Sequence, residues 1–337
     1  MPPGSLRRRH NDEFRGRRTG PRGRAIVVSF DTAVIMALEV LNSITILVLL
    51  ALGLAVIFGM MRMVNLAQGE FFTAGAFTVL AATRYAHLPL WVGMLLAPFV
   101  VAAIGIAIER LVIRRLYGRP LDVMLATWGV SLLLIGLITV TFGAVTQGIP
   151  FALGDFQVGK YQYPQYRIVM TVVAAGLMLG VYVLFRYTAF GRRARATIAN
   201  PDMASAIGIS TPRMFMLTFG LGAGLAGAAG AIMAPIVGVV PTMGVLYIAR
   251  AFITVVVGGP VVLLGTLSSA SALGFIEALI SRFSLFTIPT AGHCTPPPCQ
   301  ISIGGSAFFG QIALLIFAVV LLRLLPRGIS GFSRERE

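Results

Sequence analysis

Long apolar runs recur along this chain, separated by short polar interruptions. They cover 43–60, 71–86, 91–108, 123–145, 168–185, 214–237, 246–257, 261–280 and 307–325, with a weaker run at 25–41 that carries Asp31 and Glu39. About 20 apolar residues in a helix cross a hydrocarbon layer ~30 Å thick, so runs of this length in this number describe a membrane protein. The expected fold is an all-α polytopic transmembrane helix bundle. Composition agrees, with 57% of the 337 residues apolar and 12% charged, where a soluble domain carries about 25% charged residues.

The formal net charge is +15, which in a soluble protein would suggest nucleic acid. Here Lys and Arg gather at the ends of the apolar runs, as retention of positive charge on the cytoplasmic side predicts. No nucleic-acid role is expected. Residues 1–24 form a basic, Arg-rich tail with little to pack, expected to be disordered and cytoplasmic. No small-residue cleavage site follows a short apolar core there, so it does not read as a signal peptide. The membrane pattern begins near Met36, and an upstream extension of the reading frame is a second reading of residues 1–35. The membrane domain is expected over 25–326, with a cytoplasmic tail at 327–337.

The arginines orient the chain. Arg110, Arg114, Arg115 and Arg119 put one loop inside, Arg186, Arg192, Arg193 and Arg195 put another inside, and Arg323 and Arg327 put the C-terminus inside. Loops 146–167 and 282–306 then fall outside, and the turn near Gly258 and Gly259 falls inside. The front half does not fit if the basic tail is also inside. Either 25–41 crosses as well, or a segment around 61–90 enters and returns, and the span count is about seven to nine.

Residues 64–71 read VNLAQGEF, between two of the most apolar runs. Charged and amide side chains at membrane depth are costly unless they face the bundle interior or a cavity. Glycine frees the local backbone, and a broken helix exposes N–H and C=O groups that can line a path. Asn65, Gln68, Gly69 and Glu70 therefore mark either an interfacial turn or a helix discontinuity beside a translocation pathway. Glu277 has the same two readings, a paired or solvated span end or a group facing a central cavity, while Glu39 and Glu109 read as interfacial. VVVGGPVVLLG, at 255–265, is a tight turn between spans or a re-entrant element.

The longest polar interruption, 186–213, contains a helix start signal. Asn200 can cap, Pro201 suits the first helical position, Asp202 favours the positive end, and Gly208 is a left-handed stop. Residues 201–207 are expected to form about two turns of helix, too short to span. GAGLAG, at 222–227, matches G-x-G-x-x-G but lies inside a span with no dinucleotide-fold context. Gly220, Gly224 and Ala228 instead form a small-residue stripe for close helix packing. Cys294 and Cys299, in GHCTPPPCQ, fall on the expected outer side, where an oxidising compartment permits a local disulfide. With His293 they make three soft ligands at best, and no metal site is expected. There is no G-x-x-x-x-G-K-[ST] phosphate loop and no catalytic cluster, so no enzyme activity and no cofactor are expected of this chain. No clear internal repeat is visible.

GLAVIFGMMRMVNLAQGEFFTAGAF resembles a signature of the permease subunits of branched-chain amino-acid ABC importers, which carry an Asn-Phe-Ala-His-Gly-Glu stretch. Asn65, Gly69 and Glu70 match, Leu66 and Gln68 replace Phe and His, and Gly75 falls on a family glycine. YTAFGRRARATIANPDMASAIGIS is similar to the family's largest cytoplasmic loop through Gly191, Arg192, Arg195, Ala196, Met203, Ala204, Gly208 and Ile209. The resemblance spans about 36–329, whereas the Cys294–Cys299 insertion departs from it.

The resemblance implies a multi-pass inner-membrane permease of a bacterial-type ABC importer. ATP and Mg would be held by two separate ATPase subunits that dock on 186–213, chiefly through Gly191, Arg192, Arg195, Asn200, Asp202, Met203, Ala204 and Gly208. A second, related permease and a periplasmic or extracellular solute-binding protein would complete the assembly. Branched-chain or other apolar amino acids are the first expected substrates, urea or short amides the second. An ion-coupled secondary transporter is the rival reading, and would call for internal symmetry and several buried charges.

Overall fold

The computed structural model describes residues 30–149, 154–158, 161–259, 262–282, 286–289, 300–303 and 307–324. The described helices are α1 (Phe30–Met61), α2 (Gln68–Arg84), α3 (Leu90–Leu111), α4 (Pro120–Phe142), α5 (Gln165–Tyr187), α6 (Ala189–Ala199), α7 (Pro201–Ala206), α8 (Thr211–Val237), α9 (Met243–Gly258), α10 (Val262–Arg282) and α11 (Ala307–Leu324). Short antiparallel hairpins pair β1 (Asp155–Val158) with β2 (Tyr161–Pro164) and β3 (Phe286–Pro289) with β4 (Gln300–Ile303). The fold is the all-α bundle expected. Among the described residues, α1, α3, α4, α5, α8 and α10 are long and apolar enough to cross a membrane.

The run at 25–41 is not a separate span. From Phe30 it continues without a break into the next run as the single 32-residue helix α1. At 1.5 Å per residue α1 is about 48 Å long, more than a bilayer needs. Its two ends are identified by their neighbours. Near the start, Tyr163 donates its hydroxyl to the Leu38 carbonyl at 3.2 Å and Arg167 pairs with Glu39 at 2.8 Å. Near the other end, Met60 clusters with Ala194 and Met214, and Met61 and Arg62 share a pocket with Tyr117, Arg119 and Phe215. The start of α1 thus lies with the β1–β2 hairpin, opposite the arginine-rich loops. With that start, the loops at 110–119 and 186–213 fall at one end of the bundle, although 25–41 does not cross separately and 61–90 does not enter and return. The reason is that α1 starts at the end opposite those loops, and an inside position for the tail does not follow from α1. Residues 1–29, including the basic tail, lie outside the described residues, as do 325–337.

The chain then turns back. Residues 62–67 are non-helical, and α2 begins deep in the bundle: Gln68 reaches the carbonyl of Gly222 at 3.3 Å. Gly222 lies roughly 16 Å along α8 from its arginine-end start. From there α2 runs to the hairpin end, where Arg84 donates to Gln147 at 2.6 Å and Gln147 bridges to Val239. The second half of the chain repeats this course upside down. α8 runs to the hairpin end and stops at Gly238 (φ +76°), 239–242 is non-helical, and α9 starts at Met243 against the start of α2.

Exchanging α1 with α8, α2 with α9, α3 with α10 and α4 with α11 maps most of the helix packing onto itself, although α10 lies on α11 with no comparable contact of α3 on α4. α3 lies on α8 as α10 lies on α1, and α2 lies on α3 as α9 lies on α10. α1 runs toward the arginine end and α8 away from it, so the halves have inverted topology. QGEFFTAGAF (68–77) and MGVLYIARAF (243–252) agree at Gly69/Gly244, Ala74/Ala249, Ala76/Ala251 and Phe77/Phe252. The sequence shows no clear repeat because so short a match, in an alphabet of Gly, Ala and Phe, looks like any apolar stretch.

Lipid is as apolar as leucine, so helices here associate through close packing rather than water exclusion. Small residues permit it. Gly53 and Gly222 meet at the α1–α8 crossing. Gly75 lies on Gly227 between α2 and α8, and Gly230 lies on the Phe72 carbonyl. In each case an added Cβ would overlap main-chain atoms of the partner helix, which cannot move aside. Gly176, on the exposed side of α5, has nothing within 4 Å of such a Cβ. Gly75→Ala and Gly230→Ala should each destabilise the bundle by about 1–3 kcal/mol. Gly176→Ala should be neutral to stabilising, within ~1 kcal/mol. Unfolding midpoints of the three variants in detergent check this ranking.

Candidate functional site

The residues singled out by sequence fall into two groups at different depths. The first is the polar cluster around the break before α2. Asn65, Gln68 and Glu70 are all buried, with Glu70 1% exposed. The Asn65 side chain accepts from the Ala67 amide at 3.0 Å, folding the backbone into an Asx turn that leads into α2, and its amide donates to Gln68 at 3.3 Å. Gln68 is held by α8 through Gly222, and the Leu66 amide donates to the Thr127 hydroxyl of α4 at 3.2 Å. Ser131, one turn further along α4, donates to Glu70 at 3.4 Å, and Glu70 Oε2 has no partner among the described residues. Thr73 accepts from the Gly244 amide at 2.9 Å, which ties α2 to the start of α9.

These contacts close on themselves. The crevice beside Gln68 and Gly69 holds about 10 Å³, at or below what one water occupies. Asn65, Gln68, Gly69 and Glu70 therefore satisfy the broken backbone and lock four helices together within the chain.

Glu277 takes the paired reading. It lies 3.5 Å from Arg250 of α9, and Arg250 sits 5.9 Å above the Tyr247 ring. Sequence reasoning passed over Arg250, although a single guanidinium inside the apolar run 246–257 was a legible signal. Glu39 is half-buried at the hairpin end on Arg167. Glu109, expected at an interface, lies at the end of α3, where it is fully buried and accepts the Tyr117 hydroxyl. Burial and then this carboxylate push the Tyr117 phenol up.

The second group lies at the arginine end, where 186–213 forms α6 and α7. α6 is an amphipathic helix where only 201–207 is expected to be helical from the sequence. It buries Gly191, Ala194 and Thr197 and exposes its arginines. Its joint to α5 is tight. A Cβ on Gly191 would overlap the main chain of Phe185. Arg195 donates to the Phe185 carbonyl, and Arg192 donates to the Tyr187 carbonyl at 3.5 Å. Both guanidiniums thus cover the last, otherwise unpaired carbonyls of α5, where a positive charge suits the helix dipole. Thr188 caps α6 by accepting from Gly191 at 3.2 Å.

α7 follows at once. Asn200 accepts from the Met203 amide at 3.0 Å, Pro201 occupies the first turn with Asp202, and Gly208 ends the turn at φ +86°. Ala204 is turned inward at 2% exposed, whereas Met203 and Ile207 stand out at 63% and 69%. Met203 and Ile207 thus form an exposed apolar pair on a short polar segment. The docking set expected from sequence therefore divides. Gly191, Arg192, Arg195 and Ala204 build the joint, Asn200 and Gly208 frame α7, and Met203 with Asp202 faces out.

Gly220 meets Ile106 and Gly224 meets Pro98 and Ala102, all of α3, and Ala228 is buried beside them. The other glycines of α8, at 222, 227 and 230, serve α1, α3 and α2. Cys294, Cys299 and His293 lie outside the described residues. No group of three or more His, Cys, Asp or Glu placed to hold a metal occurs among the described residues.

Residues 36–325 match the family described as the permease component of the branched-chain amino acid transport system. The probable branched-chain amino acid transport permease protein LivH of Methanocaldococcus jannaschii is 28% identical over 304 residues, 86% of this chain and 90% of that one. The high-affinity branched-chain amino acid transport system permease protein LivH of Escherichia coli K12 is 29% identical over 251 residues, 70% of this chain and 82% of its own. BraD of Pseudomonas aeruginosa, of the same description, is 28% identical over 249 residues, 68% and 80%.

Thr127 of α4 holds the backbone of the break through the Leu66 amide. Thr127→Val keeps its shape and removes the acceptor, at a cost of about 1–3 kcal/mol for the buried amide left behind. Hydrogen exchange at Leu66 should accelerate about fivefold or more while α8 amides keep their protection.

Proposed function

This chain belongs to the branched-chain amino acid transport permease family, and we propose that it is the membrane-spanning subunit of an ABC importer for branched-chain or other apolar amino acids. Separate ATPase subunits supply the energy, and a solute-binding protein delivers the substrate at the hairpin end. The arginine end faces the cytoplasm of a bacterial-type inner membrane, following the rule that positive loops stay inside. A second, related permease stands beside this one.

The observation that carries the reading is α7. It is too short to be a stable helix by itself, yet it is capped at both ends and presents Met203 and Ile207 away from the bundle. Through α6 and the Gly191–Phe185 contact it is joined without slack to α5, a helix reaching the opposite end. A push on α7 therefore arrives at α5 as a displacement, because neither Gly191 nor the arginine-covered carbonyls leave room to absorb it. Work done by a partner on the cytoplasmic side can be passed into helices that do no chemistry themselves. An ion-coupled carrier has no use for such a handle. The inverted halves do not separate the two readings, since many membrane transporters contain them.

Docking through the exposed pair distinguishes them. Met203→Asp/Ile207→Asp should abolish co-purification of the ATPase subunits while the permease keeps its unfolding midpoint, because both side chains are outside the core. Ala204→Asp should lower that midpoint by itself, because Ala204 is buried. ATPases that still co-purify with the double variant would remove α7 as the docking element.

A further inference from the structure

Arg250 and Glu277 are opposite charges on α9 and α10, and neither is used by the reading above. The hairpin that carries them is well held without their help. Ser269 donates to the Thr254 carbonyl at 2.7 Å, and Gly258 packs on the Gly265 main chain. Two charges in a membrane helix pair are costly, and replacing such a pair with apolar residues is often neutral or stabilising. Stability alone gives no reason for them.

Their geometry suits a guest. The nearest N–O distance is 3.5 Å, longer than the 2.7–2.9 Å or so of a charge-assisted hydrogen bond, so each group keeps unused capacity. Side-chain exposures of 20% and 15% show that both remain reachable from outside the chain. One turn before Arg250 on the same face of α9 stands Leu246, 72% exposed, an apolar neighbour. Behind the pair, α11 closes the other side, with the Gly310 main chain against Glu277. Charges facing acyl chains would be paired at high cost, so this face belongs on a wetted path or against another subunit. Glu277 lies five residues before Arg282, the α10 end that leads to the β3–β4 hairpin. The inverted half has no counterpart, because Gly75 occupies the place of Arg250 and is packed on Gly227. A feature built into one half only is not part of the scaffold the halves share.

We propose that Arg250 and Glu277 form a station for the zwitterionic head of the transported amino acid. The guanidinium takes the α-carboxylate and the Glu277 carboxylate takes the α-ammonium, exchanging one loose ion pair for two closer ones. The apolar side chain lies along the exposed face of α9 that carries Leu246. This deepens the reading of the chain as an amino-acid permease and rests on it. It also assigns selectivity for the zwitterion to the permease, whichever side chain the binding protein prefers.

The test uses the complete complex in liposomes, with its ATPases and a leucine-loaded binding protein. Arg250→Gln/Glu277→Gln removes both charges together, so no lone charge is stranded. Initial uptake of labelled leucine is measured beside the unfolding midpoint and ATPase co-purification. The expected result is a tenfold or greater fall in uptake with midpoint and assembly unchanged. A smaller fall overturns the proposal, and so does loss of uptake together with midpoint or assembly, which would make the pair a structural staple. A wild-type complex that moves no leucine would sink the importer reading itself, and this station with it, before any variant is compared.

Discussion

Two glycines, Gly69 and Gly244, touch main chain to main chain where α2 and α9 begin. A Cβ on either would overlap the other's carbonyl. This contact is the condition for the rest of the bundle. It lets two short helices start inside the protein, each reached by a non-helical segment from the opposite end. Backbone freed from helix cannot face lipid, so those segments must be enclosed. The enclosure is supplied by α1, α8, α3 and α10, which pack closely because their crossings are lined with Gly and Ala.

The polar side chains near the break follow from the same constraint. Asn65, Gln68 and Thr127 provide the donors and acceptors that helix would otherwise have supplied. Their burial is the consequence of ending one helix and starting another at depth. Polar residues in an apolar stretch can thus report a backbone need rather than a ligand, and contacts alone separate these cases. At Arg250 and Glu277 they point the other way, since the backbone there is continuous helix and needs no help.

Much of this was legible in the sequence, and the exceptions have physical causes. Span positions followed from run length, and α7 followed from Asn200, Pro201 and Gly208, because caps act within a few residues. α6 was missed because its arginines make it look like a charged loop, and its apolar side is only Gly191, Ala194 and Thr197. The roles of Gly191, Arg192 and Arg195 were legible as a motif but not as a joint, since the carbonyls they cover belong to the preceding helix. The continuity of α1 through Glu39 depended on a partner, Arg167, far along the chain. The inverted halves were hidden for a related reason: close packing selects Gly and Ala, which carry little information about ancestry or alignment.

The account depends most on which face of the membrane receives α7. A Ser205→Cys variant, in a background with Cys294→Ser and Cys299→Ser, offers an exposed thiol on that helix for a membrane-impermeant reagent. Labelling in inside-out vesicles and protection in right-side-out vesicles is the predicted result. A thiol modified from the outside of intact cells would contradict the account, since no ATPase could then reach the helix that is said to take up its work.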